Sequence, residues 1–156
     1  MKKSRLGFSM VEVLVFVSVV AMFFVVAATI SSFSLQVAKS NENKILATRY
    51  AEELIEWLRG EKEVDWEQFK TNTIPDPPGT AQNYCFYQKT FGSNWNNTSK
   101  LNTTCSGFEL GSVFNRDLTI TPTSDSNQVN VDVTVSWRDG PNTFTVPVKT
   151  VFSRFE

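Results

Sequence analysis

A run of 23 residues with a single charge, positions 8–30, constrains this chain more than any other part of its sequence. As an α-helix the run would extend roughly 34 Å, which is enough to cross a hydrocarbon layer of about 30 Å. Lys2, Lys3 and Arg5 precede it, and such basic residues are retained on the cytoplasmic side. The sequence therefore predicts one membrane span, with the chain after residue 31 on the outer side.

The one charge within this run is Glu12, its fifth residue. A carboxylate costs roughly 2.5–3.5 kcal/mol at the centre of a bilayer and less near its edge. A passive anchor would gain nothing from this charge, whereas a positive group on another subunit would give it a partner. A free α-amino group on Phe8, created by cleavage, is such a group. Glu12 is therefore a candidate for contact between subunits.

The segment G-F-S-M-V-E at positions 7–12, after a short basic leader and before an apolar run, resembles the prepilin peptidase site of type IV pilins and pseudopilins. In that family the peptidase cuts after the glycine and methylates the new N-terminal residue, commonly phenylalanine. The resemblance implies that residues 1–7 are a leader peptide removed after Gly7, that Phe8 becomes the methylated N-terminus, and that Glu12 is used in assembly.

Two other interpretations of the N-terminus are open. The chain also departs from the family motif at two positions, because Ser9 and Met10 stand where the family more usually has threonine and leucine. A secretory signal cut after Val26-Ala27-Ala28 is one alternative, although the apolar core of such signals is about 7–15 residues and this run is longer. An uncleaved single-span anchor is the other. Neither alternative accounts for Glu12.

Neither Gly nor Pro occurs from Phe8 to Arg59, so one helix can continue through this region and end at Gly60. We expect residues 8–30 to form a transmembrane and filament-core helix and residues 31–60 its amphipathic continuation. The continuation has apolar residues at helical spacing that predict a core contact: Ala47, Ala51, Leu54, Ile55 and Leu58, with Phe33 and Val37 on the same face.

A groove for a partner helix is the alternative use of that apolar face. Glu52 and Glu56 lie on other sides of the predicted helix and would point into solvent, so we expect no catalytic dyad there.

Residues 61–156 are expected to form a globular β-rich domain. Pro75, Pro77 and Pro78 forbid a continuous helix or central strand, so residues 61–83 are predicted to be irregular. Three apolar side chains of this stretch are expected to pack against the domain: Val64, Trp66 and Phe69.

Strand patterning follows, and the fold class predicted is α+β, a long N-terminal helix packed on an antiparallel sheet. Residues 138–142 predict a turn, and Pro147 places the returning strand at a sheet edge. The predicted strands are 84–90, 116–121 with Leu118 and Ile120 inward, 128–137 with Val129, Val131, Val133, Val135 and Trp137 inward, and 143–152 with Phe144, Val146, Val148 and Phe152 inward.

Cys85 and Cys105 enclose a segment rich in Asn, Ser and Thr. In an exported chain we expect them to form a disulfide, and free core thiols are the alternative. Two thiols alone do not make a four-ligand zinc site, and histidine, the commonest metal ligand and general base, is absent from the sequence. We expect no enzyme, no catalytic residue, no metal, no cofactor and no small-molecule substrate.

The net charge is −1, and removal of residues 1–7 would make it −4, so nucleic-acid binding is not expected as a main role. The strand, tryptophan and turn at 133–140 are similar to the C-terminal part of minor pilins and minor pseudopilins of the PilV or GspI kind. The two resemblances imply a structural subunit, a minor pilin, of a type IV pilus-like filament at the cell surface. The alternative is a minor pseudopilin of a type II secretion or DNA-uptake machine, and a membrane-anchored hydrolase or binding domain is a third hypothesis.

The resemblance also implies partners. They are the prepilin peptidase, other pilin subunits, an inner-membrane assembly platform, and membrane lipid before assembly.

Mass spectrometry of the mature N-terminus tests this interpretation. We expect the chain to begin at Phe8 with one added methyl group. An intact Met1, or a chain that begins after Ala28, would contradict the prepilin interpretation.

Overall fold

The computed structural model describes residues 9–73, 81–91, 99–101, 105, 109–125 and 127–155. It confirms the α+β class, in which a long N-terminal helix packs on a C-terminal antiparallel sheet. The chain divides into two compact units, one ending at Glu42 and the other beginning at Asn43.

Helix α1 runs from Met10 to Val64, so the predicted end at Gly60 was wrong. Glycine inside a helix costs only about 1 kcal/mol relative to alanine, and contacts of the additional turn offset this cost. In that turn Lys62 is buried, its Nζ donates a hydrogen bond to the carbonyl of Ser153 at 3.2 Å, and it lies 5.7 Å from the ring centroid of Phe152. The helix end is therefore set by contacts distant in sequence.

Helix α2, Trp66–Thr73, occupies a stretch that was predicted to be irregular. Asp65 begins it, because its Oδ1 accepts hydrogen bonds from the backbone N–H groups of Glu67 and Gln68 at 2.9 and 3.0 Å. Trp66 and Phe69 are buried as expected, whereas Val64 is 85% exposed and the prediction for it was wrong. The proline-rich segment lies in residues 74–80, outside the described residues.

The described strands form one antiparallel sheet in the order β2-β1-β4-β5-β6, with β3 paired to β4. β6 is an outer strand, which confirms the edge position predicted from Pro147. The strand predicted at residues 84–90 ends earlier in the structure, at Phe86. The bounds are β1 Gln82–Phe86, β2 Ser99–Leu101, β3 Glu109–Leu110, β4 Phe114–Pro122, β5 Gln128–Asp139 and β6 Asn142–Ser153.

The core lies between one face of the sheet and the second half of α1. The five stripe residues predicted on α1 are buried, and so are the predicted inward residues of β4 and β5. In β6, Phe152 is buried and Val146 and Val148 are partly buried, but Phe144 is still 38% exposed although its ring stacks on Trp137. An edge strand has a neighbour on one side only, so its residues are less covered.

Other α1 side chains remain in solvent. Glu52 and Glu56 are exposed, as predicted, and Glu56 pairs with Arg59. Phe33 and Val37, expected on the core face, lie in the first unit and are exposed.

Arg116 of β4 is a fully buried cation that the sequence analysis placed only at the start of a strand. Its guanidinium donates to three backbone carbonyls, those of Tyr50 in α1 at 3.1 Å, Phe86 at 3.3 Å and Gln88 at 2.7 Å. It also lies 4.7 Å from the ring centroid of Phe91. Desolvation lowers the pKa of Arg116 to about 10, so the group stays charged at neutral pH. One side chain thus joins α1, the end of β1 and the segment that follows β1.

Replacing Arg116 with Met should lower the free energy of unfolding by about 2–4 kcal/mol, because hydrogen bonds to a charged group contribute roughly 1.5–3 kcal/mol. The free energy of unfolding of Arg116→Lys should lie between those of the wild type and Arg116→Met, since a compact ammonium cannot reach three carbonyls at once. The measurement is chemical denaturation of the full chain in detergent, followed by tryptophan fluorescence. Arg138→Met, at an exposed position of β5, is the matched control. Equal midpoints for both Met variants would contradict this account.

Candidate assembly site at the start of α1

The predicted assembly residue, Glu12, lies in the first turn of α1. The backbone N–H of Val13 donates to the carbonyl of Ser9 at 3.2 Å, so Ser9 occupies the capping position and Glu12 the third helical position. Gly7 and Phe8 lie outside the described residues, and their processing stays a prediction.

This position also suits Glu12 to a local role within the helix, which was not predicted from the sequence. Serine followed three residues later by glutamate is the capping-box pattern, and a carboxylate at a helix N-terminus interacts favourably with the helix dipole. The reciprocal hydrogen bonds of a capping box are not formed between Ser9 and Glu12. Among the described residues, Glu12 forms neither a hydrogen bond nor an ion pair.

The surface around Glu12 is apolar and open to solvent. A shallow concave patch is lined by Ser9, Val11, Glu12, Val15, Phe16 and Val19. Val11 and Phe16 expose about two thirds of their surface, at 67% and 68%. The carboxylate therefore lies within a hydrophobic surface that no described residue of its compact unit covers.

The hydroxyl groups farther along the apolar stretch differ from Glu12, because they are satisfied within the helix. Ser18 and Thr29 donate to carbonyls three residues earlier, both at 2.8 Å. Ser31 and Ser32 donate to carbonyls four residues earlier, at 2.9 and 3.0 Å. Transfer of such hydroxyls from water to an apolar environment costs little free energy, because they are already hydrogen-bonded, whereas a carboxylate needs an external partner.

Within the described residues, α1 is the helix that contains a stretch long and apolar enough to cross a membrane. Its most apolar 18-residue window has a mean hydropathy of 2.9, and none of that window is buried within the chain. This distinguishes the stretch from the core helix of a globular domain, which would be mostly buried.

The second predicted site is confirmed, because Cys85 and Cys105 form a disulfide. This excludes the alternative of free core thiols. Asp117, which was not predicted as part of this site, faces Cys85 in register across β1 and β4. Burial raises the pKa of the Asp117 carboxyl. Only the strand pairing reveals this proximity, since the two residues are 32 positions apart in the sequence.

Comparison with known proteins adds no relative: no protein-family model, no curated protein and no solved structure matches the chain. Glu12, its apolar surroundings and the motif of which it is part are therefore the features that bear on function.

Removal of the disulfide by Cys85→Ser with Cys105→Ser should destabilise the second unit by about 3 kcal/mol, the chain-entropy value for a loop of this length. Thermal unfolding of the full chain in detergent, with and without a phosphine reductant, measures the effect. The reductant should lower the melting temperature of the wild type and leave that of the double variant unchanged. A wild-type melting temperature that does not respond to complete reduction would contradict a stabilising role.

Proposed function

We propose that this protein is a structural subunit of a type IV pilus-like filament, a minor pilin, which is cleaved after Gly7, methylated at Phe8 and assembled through its N-terminal helix. The observation that carries the proposal is Glu12, a carboxylate without a hydrogen-bond or ion-pair partner among the described residues, on a helix surface that is otherwise apolar and that they leave exposed. A group of this kind is costly in lipid, so it is expected where a second subunit supplies the opposite charge.

Cleavage would create that opposite charge. The new α-amino group of Phe8 keeps its positive charge when it carries one methyl group. When a subunit leaves the bilayer, packing against neighbouring helices would replace its lipid contacts. An ion pair between Glu12 and the amine of a neighbour would then neutralise both groups in an environment of low dielectric constant and would set the axial register of the two helices.

The remaining features fit a subunit that starts in the inner membrane. The basic leader would face the cytoplasm, where the prepilin peptidase acts, and the β-rich domain would lie outside it. The Cys85–Cys105 disulfide supports an extracytoplasmic location, because disulfides persist in oxidising compartments. The proposed partners are the peptidase, the assembly platform and other pilin subunits.

The choice of a minor subunit depends on the pattern at residues 133–140, which forms the end of β5 and the turn into β6. Gly140 adopts a positive φ of 58°, a conformation that favours glycine. The glycine of the pattern is therefore the residue type that the turn between β5 and β6 favours. The alternative is a minor pseudopilin of a type II secretion or DNA-uptake machine, which would use the same helix.

The experiment must separate the charge of Glu12 from the size and polarity of its side chain. Glutamine can replace glutamate in a capping box and has the same size, but it has no charge. We therefore expect both Glu12→Ala and Glu12→Gln to reduce incorporation into sheared fibres by about tenfold or more, the loss expected for one charged hydrogen bond of at least about 1.5 kcal/mol.

Glu52→Gln, an exposed position of the same helix, is the matched control and should assemble at the wild-type level. Mass spectrometry of the N-terminus must show equal cleavage in all variants. Normal incorporation of Glu12→Gln together with loss of Glu12→Ala would show that assembly needs the size and polarity of this side chain and not its charge. Normal incorporation of both variants would show that Glu12 has no role in assembly.

A further inference from the structure

The face of the sheet turned away from α1 brings together three side chains that can bind metal ions. They are Cys85, Cys105 and Asp117, and their two sulfur atoms and one carboxylate oxygen all lie within 4.8 Å of one another. Because the described chain holds the two cysteines as a disulfide, the sulfurs are not metal ligands in this state. A newly synthesised chain, however, carries them as thiols.

The sheet itself positions two of these groups. Cys85 in β1 and Asp117 in β4 are cross-strand partners in an antiparallel pair. Their neighbours Tyr84 and Leu118 are also paired and belong to the core, so alternation places Cys85 and Asp117 on the opposite face. Two of the three groups thus come from paired strands rather than from a loop.

We propose that, before the disulfide forms, Cys85, Cys105 and Asp117 bind one Zn²⁺ ion, and that metal binding and disulfide formation exclude each other. Binding displaces the two thiol protons and leaves the ion with two thiolates and one carboxylate. On oxidation, a disulfide-class oxidant accepts two electrons from the thiolates and two protons from water, is released as two thiols, and frees the ion as the Cys85–Cys105 bond forms.

The dimensions suit such a site. With Zn–S bonds of about 2.3 Å and Zn–O bonds of about 2.0–2.2 Å, the ligand atoms of a tetrahedral site lie about 3.5–3.8 Å apart. The sulfur-to-oxygen distances, at most 4.8 Å, need little change. The two sulfurs must separate, and side-chain rotation can provide this, since their Cα atoms are 5.3 Å apart.

A cavity supplies access and a fourth ligand. Cys105 and Asp117 both line a cavity of about 660 Å³ on this side of the sheet, together with Asn115 and Ser136. A water molecule in this cavity can complete the coordination, as in zinc sites with three protein ligands. Asn115, which lines the same cavity, has a buried Oδ1 atom without a hydrogen-bond partner among the described residues.

The charges of the ligands in the metal complex suit a dication. Asp117 is partly buried and forms neither a hydrogen bond nor an ion pair with a described residue. Cys85 and Cys105 are buried beside it. Once binding has displaced the thiol protons, two thiolates and a carboxylate in such a place need a compensating positive charge, and Zn²⁺ supplies it with the thiolate preference that Mg²⁺ and Ca²⁺ lack.

The test uses the full chain in detergent micelles, reduced with a phosphine without oxygen. Titration with Cd²⁺, followed by the ultraviolet charge-transfer absorption of cadmium thiolates, should show one site, and Zn²⁺ should compete for it. Asp117→Asn should weaken binding about tenfold or more, since even groups that only orient a ligand contribute 10–100-fold. Glu109→Gln, which changes another carboxylate of the same cavity, is the matched control and should bind like the wild type.

The disulfide gives an independent measurement. Zn²⁺ should slow oxidation of the wild-type thiols by a small disulfide tenfold or more, and should slow that of Asp117→Asn much less. Each variant counts as folded if it forms the disulfide after the metal is removed. Equal affinity of wild type and Asp117→Asn, absence of a one-to-one complex in the reduced wild type, or a wild-type oxidation rate that Zn²⁺ does not change would each overturn the proposal.

Discussion

The packing of the second half of α1 against the apolar face of the sheet is the interaction on which the rest of the second unit depends. Ala47 and Ala51 are fully buried, and their small side chains let the helix backbone approach the strands closely. The facing valines of β5, from Val129 to Val135, are β-branched residues that suit a strand and are all buried. Without the helix, this valine face would be exposed to water. Arg116 fixes the same contact by a different means, because it reaches through the core to a carbonyl of α1.

Patterns within one element were predictable from the sequence. The alternation in β5 and the helical spacing from Ala47 to Leu58 each reflect burial on one side, and a period of 2 or 3.6 residues records this directly. Glu12 was identifiable for a similar reason, since its local surroundings in the sequence are uniformly apolar. For Gly7 and Phe8, which lie outside the described residues, the sequence motif is the only guide.

Features that depend on residues distant in sequence were not predictable. Helix α1 continues beyond Gly60 because Lys62 donates a hydrogen bond to the carbonyl of Ser153 and contacts the ring of Phe152. Arg116 is buried because its partners are backbone carbonyls, which carry no residue-specific signal in a sequence. Asp117 meets the disulfide only through the register of β1 and β4. Lys62 and Arg116 were buried because tertiary contacts satisfied them, whereas composition alone favoured exposure.

The edge strand β6 has a consequence for how copies of this chain can associate. A strand of twelve residues at the margin of a sheet presents backbone groups to which a strand of another molecule could bond. Pro147, near the middle of β6, has no N–H group, so a foreign strand would meet a gap in its ladder of hydrogen bonds there. Lys149, whose ammonium pairs with Asp132, adds a largely exposed charge two residues later. Copies of this chain at high concentration are thereby hindered from joining their sheets through β6 into a continuous aggregate.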